Sequence, residues 1–335
     1  MAERIAAEVA ASEQATAAGP VQAEAVTHAL HRAAGAVREA DFLLVAGGAG
    51  LSADSGLLTF AQMTAKLGCA LGGSLSYDQA AGSDMMVKDP SIFYGFWFAA
   101  EQSYESAEPH EGYSILREWS QRVEERGSWR RPVFALTSNI DGFLQRSGVA
   151  KLGSVAEIHG CIKRWQCGGV PSGQKFPLFK RPRCCDELFA SPSPQGADFE
   201  SLRFHIPQEG PPRCPRCSEG WLRPHVYLFG DGNRFVEDEA STGKAAFSSW
   251  QQEVLDALRG DASLHLTIIE LGCGIRVPSI RKRCEELLAA CPRGQGDLVR
   301  INPEFEDQWI VMQPTIAVKA PALAALRQMH RDVVR

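Results

Sequence analysis

Phe42-Leu43-Leu44-Val45-Ala46 runs by way of Gly47 into Gly48-Ala49-Gly50-Leu51-Ser52-Ala53-Asp54-Ser55-Gly56. The apolar run reads as a short buried strand, and the small residues behind it as a loop that brings main-chain amides against a pyrophosphate. Glycine suits that loop because it takes positive φ and puts no Cβ between backbone and phosphate. The glycine spacing matches a dinucleotide fingerprint only in part, since Ala53 fills the third glycine position and Gly56 comes late. The same fragment also suits a tight strand-to-helix turn that binds nothing. What separates the two readings is the rest of the chain.

With 335 residues, 44% of them hydrophobic, the chain can build one large or two modest cores. A net charge of -5 gives no reason to expect nucleic acid or an anionic membrane as partner. No apolar run reaches the roughly 18–20 residues of a membrane helix. Residues 1–20 are Ala-rich but carry Glu3, Glu8 and Glu13. They lack the apolar centre of a secretory signal and the acid-poor bias of a transit peptide, and read as a flexible leader. Ten cysteines without an export signal point to thiols and metal inside the cell, in the cytoplasm, rather than to a disulfide framework.

Val21–Ala40 has helical spacing and precedes the first strand. Further strands are expected at Val133–Leu136, Val155–Ile158, Leu264–Leu271, Leu298–Ile301 and Trp309–Met312. Helices fit at Ser91–Tyr104, His110–Val123, Ser248–Leu258, Ser279–Ala290 and Pro321–Arg331. The aromatic cluster Phe93, Tyr94, Phe96, Trp97 and Phe98 reads as core. From Cys161 to Arg223 the composition turns to Pro, Gly, Cys and basic residues, as in an inserted module held by something other than a hydrophobic core. Strands alternating with helices imply a mostly parallel sheet, with any ligand beyond the carboxyl ends of its strands. Most of the polar and glycine-rich clusters fall at such ends.

In order these clusters are Gly48-Ala49-Gly50-Leu51-Ser52, Thr137-Ser138-Asn139-Ile140-Asp141, Glu157-Ile158-His159-Gly160, Cys214-Pro215-Arg216-Cys217, Leu222-Arg223-Pro224-His225-Val226, Phe229-Gly230-Asp231 and Ile301-Asn302-Pro303-Glu304. The series resembles the sirtuins, the NAD-dependent protein-lysine deacylases, from about Val21 to the C-terminus. It is most similar to the bacterial-type branch, through the segments at 94–96 and 109–112. The resemblance implies a Rossmann-like doubly wound parallel sheet over 21–60, 111–160 and 224–335. A smaller domain would combine a helical module (61–110) with a zinc module (161–223). NAD and an acyl-lysine peptide would meet in the cleft between them. The acyl oxygen would attack the ribose as nicotinamide leaves, and a histidine would then deprotonate a ribose hydroxyl. Free lysine and O-acyl-ADP-ribose would result.

The resemblance makes His159 that base, a role suited to imidazole because its ordinary pKa lies near neutrality. Asn139 would orient ribose hydroxyls or water, and Asp141 would accept from the nicotinamide carboxamide. Taken alone, a histidine behind a strand is a core or surface residue, and Asn-Ile-Asp-Gly a turn with Asp141 as helix N-cap. The wider cofactor set would be Gly48, Ala49, Gly50, Ser52, Phe60, Ser138, Ile140, Gly272, Cys273, Asn302 and Glu304. Val226, Leu228, Phe229 and Gly230 would form an extended edge that pairs with the substrate peptide.

Cys214-Pro215-Arg216-Cys217 is half of a tetrahedral zinc site. Cys167 matches the family's first ligand, but Val170 stands where the second is due. Cys184 or Cys185 completes the four. The metal would be structural. The first loop departs from the family, with Leu57-Leu58-Thr59-Phe60-Ala61 lacking its proline and arginine. A lost charge-assisted contact is worth about 1.5–3 kcal/mol, roughly ten- to a hundredfold in affinity or turnover. Ser138 replaces a glutamine, and Gly272-Cys273-Gly274 lacks the usual hydroxyls. ADP-ribosyl transfer, NAD hydrolysis, and NAD binding without turnover therefore stand beside deacylation. Oligomeric state is left open.

Overall fold

The computed structural model describes residues 20–335 except 59, 71, 72, 74, 128, 174–176, 199, 238–241, 305 and 314, with backbone alone at 20–22, 60 and 61. The expected leader therefore lies outside the described residues, save Pro20, which opens the helix Pro20–Glu39.

Strand β1 (Phe42–Gly47) is buried along its whole length, as a continuous apolar run in a sheet covered on both faces must be. β2 (Val133–Thr137) and β3 (Val155–Glu157) follow it in the same sheet. The chain then leaves that sheet through Ile158 and His159 and enters β4 (Gly160–Cys167). Two short ribbons, β5 (Val170–Pro171) with β6 (Phe179–Arg181) and β8 (Ala197–Asp198) with β9 (Arg203–Phe204), flank β7 (Leu188–Ala190). β7 and β10 (Leu222–Val226) pair antiparallel with β4 from either side. β11 (Leu266–Leu271), β12 (Gly296–Ile301) and β13 (Ile316–Val318) then complete the large sheet.

That sheet has the order β13-β12-β11-β1-β2-β3, and every pairing in it is parallel. The chain therefore winds outward in both directions from β1 and β11, and the crossover point between them is where such sheets hold ligands. One face packs on helices Pro20–Glu39, Glu111–Arg126 and Ala322–Val333, the other on Lys244–Gly260 and Ser279–Ala290.

A third core lies apart from these two. The helix Pro90–Ser106 buries its aromatic cluster against β4, β9 and β10. Tyr94 lies parallel to Trp165, with centroids 6.1 Å apart, and its hydroxyl donates to the Leu222 carbonyl at 2.7 Å. The cysteine-rich insertion thus has a hydrophobic core after all, borrowed from a helix distant in sequence. Composition did not reveal it because only a third of that core's buried residues lie inside the insertion.

The expected strand Trp309–Met312 is not formed. Its residues bend across the surface, with Trp309, Ile310 and Val311 about half exposed, and β13 takes the edge instead. The amides of Ile310, Val311 and Met312 all donate to the buried Glu285 carboxylate. Successive strand amides point to opposite sides, so three of them cannot converge on one carboxylate from a ladder. Among the described residues no helix is long and apolar enough to cross a membrane.

Candidate active site

At the crossover point the loops behind β1 and β11 touch backbone to backbone. A Cβ on Gly50 would stand 2.8 Å from the Gly272 Cα, and Gly272 itself has φ +61°. The amides of Gly48, Gly50 and Leu51 donate to Leu271, Gly272 and Gly48 carbonyls, each at 2.9 Å. These glycines therefore serve loop-to-loop contact, and the three amides are spent within the protein. Gly48 and Ala49 still line the cavity that opens here; Gly50 and Gly272 do not.

The cavity encloses about 510 Å³ between the ends of β1, β2, β3 and β11 and the third core. Its polar end is a single hydrogen-bonded cluster. Ser52, on the short helix Ala49–Ala53, donates from Oγ to Asp141 Oδ2 at 2.7 Å. Having one proton, that hydroxyl must accept its other bonds, from the Tyr113 hydroxyl at 2.9 Å and from Asn139 Nδ2 at 3.0 Å. Asn139 Nδ2 also donates to the Gly48 carbonyl at 3.0 Å, which fixes the amide orientation and leaves Oδ1 as its acceptor. Thr137 accepts the Asn139 amide and donates to the Gly47 carbonyl, tying β2 to β1 beneath the site. Asp141 Oδ1 accepts the Phe143 amide at 2.8 Å, so the helix-capping role and a place in the site coexist in one carboxylate. Burial raises the Asp141 pKa, and the Phe143 and Ser52 hydrogen bonds oppose it.

His159 occupies the two-residue passage from β3 to β4 and lines the same cavity. Gly160 must follow it: φ is +83°, and a Cβ there would lie 2.1 Å from the His225 carbonyl. The imidazole is hydrogen-bonded to the Ser138 backbone. Burial, then the charges of Arg283 and Lys244, lower its pKa to about 4. The ring is therefore neutral at physiological pH, the form that accepts a proton. Two positions upstream, burial and the neighbouring Asp141 charge raise Glu157 to about 7.

Ser138, Ile140 and Cys273 line the cavity as well. Asn302 and Glu304 do not. Asn302 is buried as a clasp, donating to the Cys273 carbonyl and accepting the Glu304 amide, both at 3.0 Å, and Glu304 is exposed. Phe60 begins the helix Phe60–Ala70, but its side chain lies outside the described ones. Val226, Leu228, Phe229 and Gly230 all reach the cavity. The extended edge expected over 226–230 stops short, however, with β10 ending at Val226 and a turn at Phe229-Gly230. The buried Asp231 carboxylate takes the Leu228 amide at 3.2 Å, and Arg223 binds both Asp231 oxygens and the Val226 carbonyl. Tyr113, Tyr77, Trp97, Tyr104 and Met63 join the site without a sequence signal, since nothing in their spacing separates a cavity wall from a core, while Tyr227 falls inside the expected 226–230 edge.

The sulfurs of Cys167, Cys184, Cys214 and Cys217 all lie within 4.8 Å of one another. Cys184 and Cys214 are 3.6 Å apart, close to the ~3.8 Å edge of a tetrahedron with zinc–sulfur bonds of about 2.3 Å. The Cys184 amide points at the Cys167 sulfur and the Gly220 amide at the Cys217 sulfur, as thiolates require. The four fit structural zinc. Cys185 is not among them, although its sulfur stands 3.5 Å from that of Cys184.

The Sir2 family model matches residues 48–246, more than half of the chain. The chain belongs to the Sir2 family. Among its relatives, the dog mitochondrial NAD-dependent protein deacylase sirtuin-5 is 32% identical over 200 residues, 58% of this chain and 57% of that protein. NAD-dependent protein deacetylase 2 of Caldanaerobacter subterraneus subsp. tengcongensis is 30% identical over 203 residues, 60% of this chain and 65% of its own. The chain thus spans under two thirds of these relatives' length. A solved Sir2 homologue–NAD complex matches with a TM-score of 0.57 at 20% identity, over 90% of this chain and 93% of that one. Sir2Tm bound to a propionylated peptide gives 0.53 at 19%, over 89% and 95%. These two establish a common Sir2 fold.

Proposed function

We propose that this chain is an NAD-dependent protein-lysine deacylase that transfers the acyl group to ADP-ribose and releases nicotinamide. The observation that carries the reading is one cavity, at the crossover point of a Sir2 sheet, walled by both a neutral imidazole and the Ser52–Asn139–Asp141 cluster. The names of the relatives, protein deacylases and deacetylases that depend on NAD, support it. NAD supplies an electrophilic ribose carbon with nicotinamide as leaving group. His159 takes a ribose hydroxyl proton. Asn139 presents Oδ1 to ribose hydroxyls or water, and Asp141 accepts from the carboxamide through the face not used by Phe143 and Ser52. Glu304, exposed outside the cavity, addresses the adenosine ribose, and Asn302 positions it by accepting its amide. Zinc on the four cysteines is structural, holding together the 161–223 module of a small domain that also takes in residues 61–110.

Ten thiols, none of the described ones in a disulfide, support a reducing, cytoplasmic setting. The partner is an acyl-lysine protein or peptide. One observation favours a second reading, NAD hydrolysis or ADP-ribosyl transfer: the Leu228 amide, on the proposed peptide edge, is already held by Asp231. Incubation with NAD and an acetyl-lysine peptide, read by mass spectrometry, separates them. O-acetyl-ADP-ribose is the expected product; free ADP-ribose or labelled protein alone would establish the second reading.

A further inference from the structure

The cavity has two chemically distinct ends. Beyond the polar cluster it continues between the helix Pro90–Ser106, the helix Tyr77–Ala80 and the Phe229 turn. Leu58, Met63, Tyr77, Trp97, Tyr104 and Phe229 wall this apolar end. The wall is braced: Tyr77 meets Phe229 edge to face at 5.7 Å, and the Ser83 amide donates to the Phe229 carbonyl at 3.1 Å. Burial pushes the Tyr77 hydroxyl up to about 12, so it adds no charge. No lysine lines the cavity among the described residues, and Arg276 is its one arginine. That guanidinium stands 3.6 Å from Asp78 Oδ1. Of the two carboxylates that line the cavity, Asp231 is held by Arg223, which leaves Asp141. The segment 57–64 brings no cation either, being Leu-Leu-Thr-Phe-Ala-Gln-Met-Thr.

We infer that this apolar end receives the acyl chain, and that it selects uncharged, apolar acyl groups longer than acetyl over acidic ones. The inference rests on the deacylase reading. Each methylene moved from water into such a wall strengthens binding about fourfold. An acyl chain ending in a carboxylate would instead lose its hydration among aromatic rings, with Asp141 on the same cavity and the one lining arginine already facing Asp78.

The test uses the full chain, NAD and one peptide carrying acetyl-, hexanoyl- or succinyl-lysine, with nicotinamide and O-acyl-ADP-ribose both quantified. The expected kcat/KM for hexanoyl exceeds that for acetyl, and that for succinyl, by at least about tenfold. Leu58→Arg, at a partly exposed position on the wall, is expected to lower the hexanoyl-to-succinyl ratio at least about tenfold. Acetyl equal to or better than hexanoyl, or succinyl as the best substrate, would overturn the inference and leave the deacylase reading standing. No nicotinamide from any of the three would overturn both. An unchanged ratio in Leu58→Arg would show that the chain lies elsewhere.

Discussion

Glu157 and His159 stand two residues apart at the end of β3, and burial acts on them in opposite senses. It raises the carboxyl to about 7, helped by the Asp141 charge, and lowers the imidazole to about 4. Each is driven toward its neutral form. Between pH 4.5 and 7 the native protein keeps a Glu157 proton that the unfolded chain releases, so this group favours folding at low pH and loses that effect as pH rises. His159 works the other way, its contribution lost as pH falls from about 6.5 toward 4. Glu157→Gln removes only the first effect. Relative to the native protein it should gain on the order of 2 kcal/mol in urea unfolding between pH 5 and pH 8. Parallel pH curves for the two proteins would show that Glu157 does not change ionisation on folding. His159, Asn139, Asp141 and Ser52 were readable in the sequence because each sits in a short motif at a strand end. Tyr113 was not, for its place beside Ser52 depends on how the helix Glu111–Arg126 packs against the sheet.

Elements were read well where a buried apolar run met a glycine, as in β1 and β11, and badly where a distant side chain takes over backbone hydrogen bonding. Glu285 does so at 310–312, turning an apolar run into a surface bend. Asp231 does so behind β10, where its carboxylate and Arg223, both fully buried, pin the turn that lines the cavity. Such a pair is expensive to break, because the survivor is left charged and unpaired in a dry site. Asp231→Asn should therefore cost about 3–5 kcal/mol in urea unfolding. A loss below about 1 kcal/mol would mean that Arg223 finds water or another partner.

The molecule joins a doubly wound sheet to a third core that shares Cys167 and Cys214 with a four-cysteine cluster. The winding order followed from alternating strands and helices. The fourth zinc ligand did not, since Cys184 and Cys185 are adjacent and a long loop separates them from Cys167; only the fold brings the Cys184 sulfur to the other three. Cys214→Ser should abolish bound zinc and speed amide exchange across β4 and β10 while leaving β1 and β11 protected. Unchanged zinc content would remove Cys214 from the site. The central claim is that one neutral imidazole at the passage between the two sheets performs the chemistry. It is tested most directly by O-acyl-ADP-ribose formation in the native protein and in His159→Ala, with NAD affinity measured in both. Product should vanish in the variant while NAD binds within about threefold of its native affinity, given that the Ser52–Asn139–Asp141 cluster does not involve His159. Product formed by His159→Ala at the native rate would contradict the account.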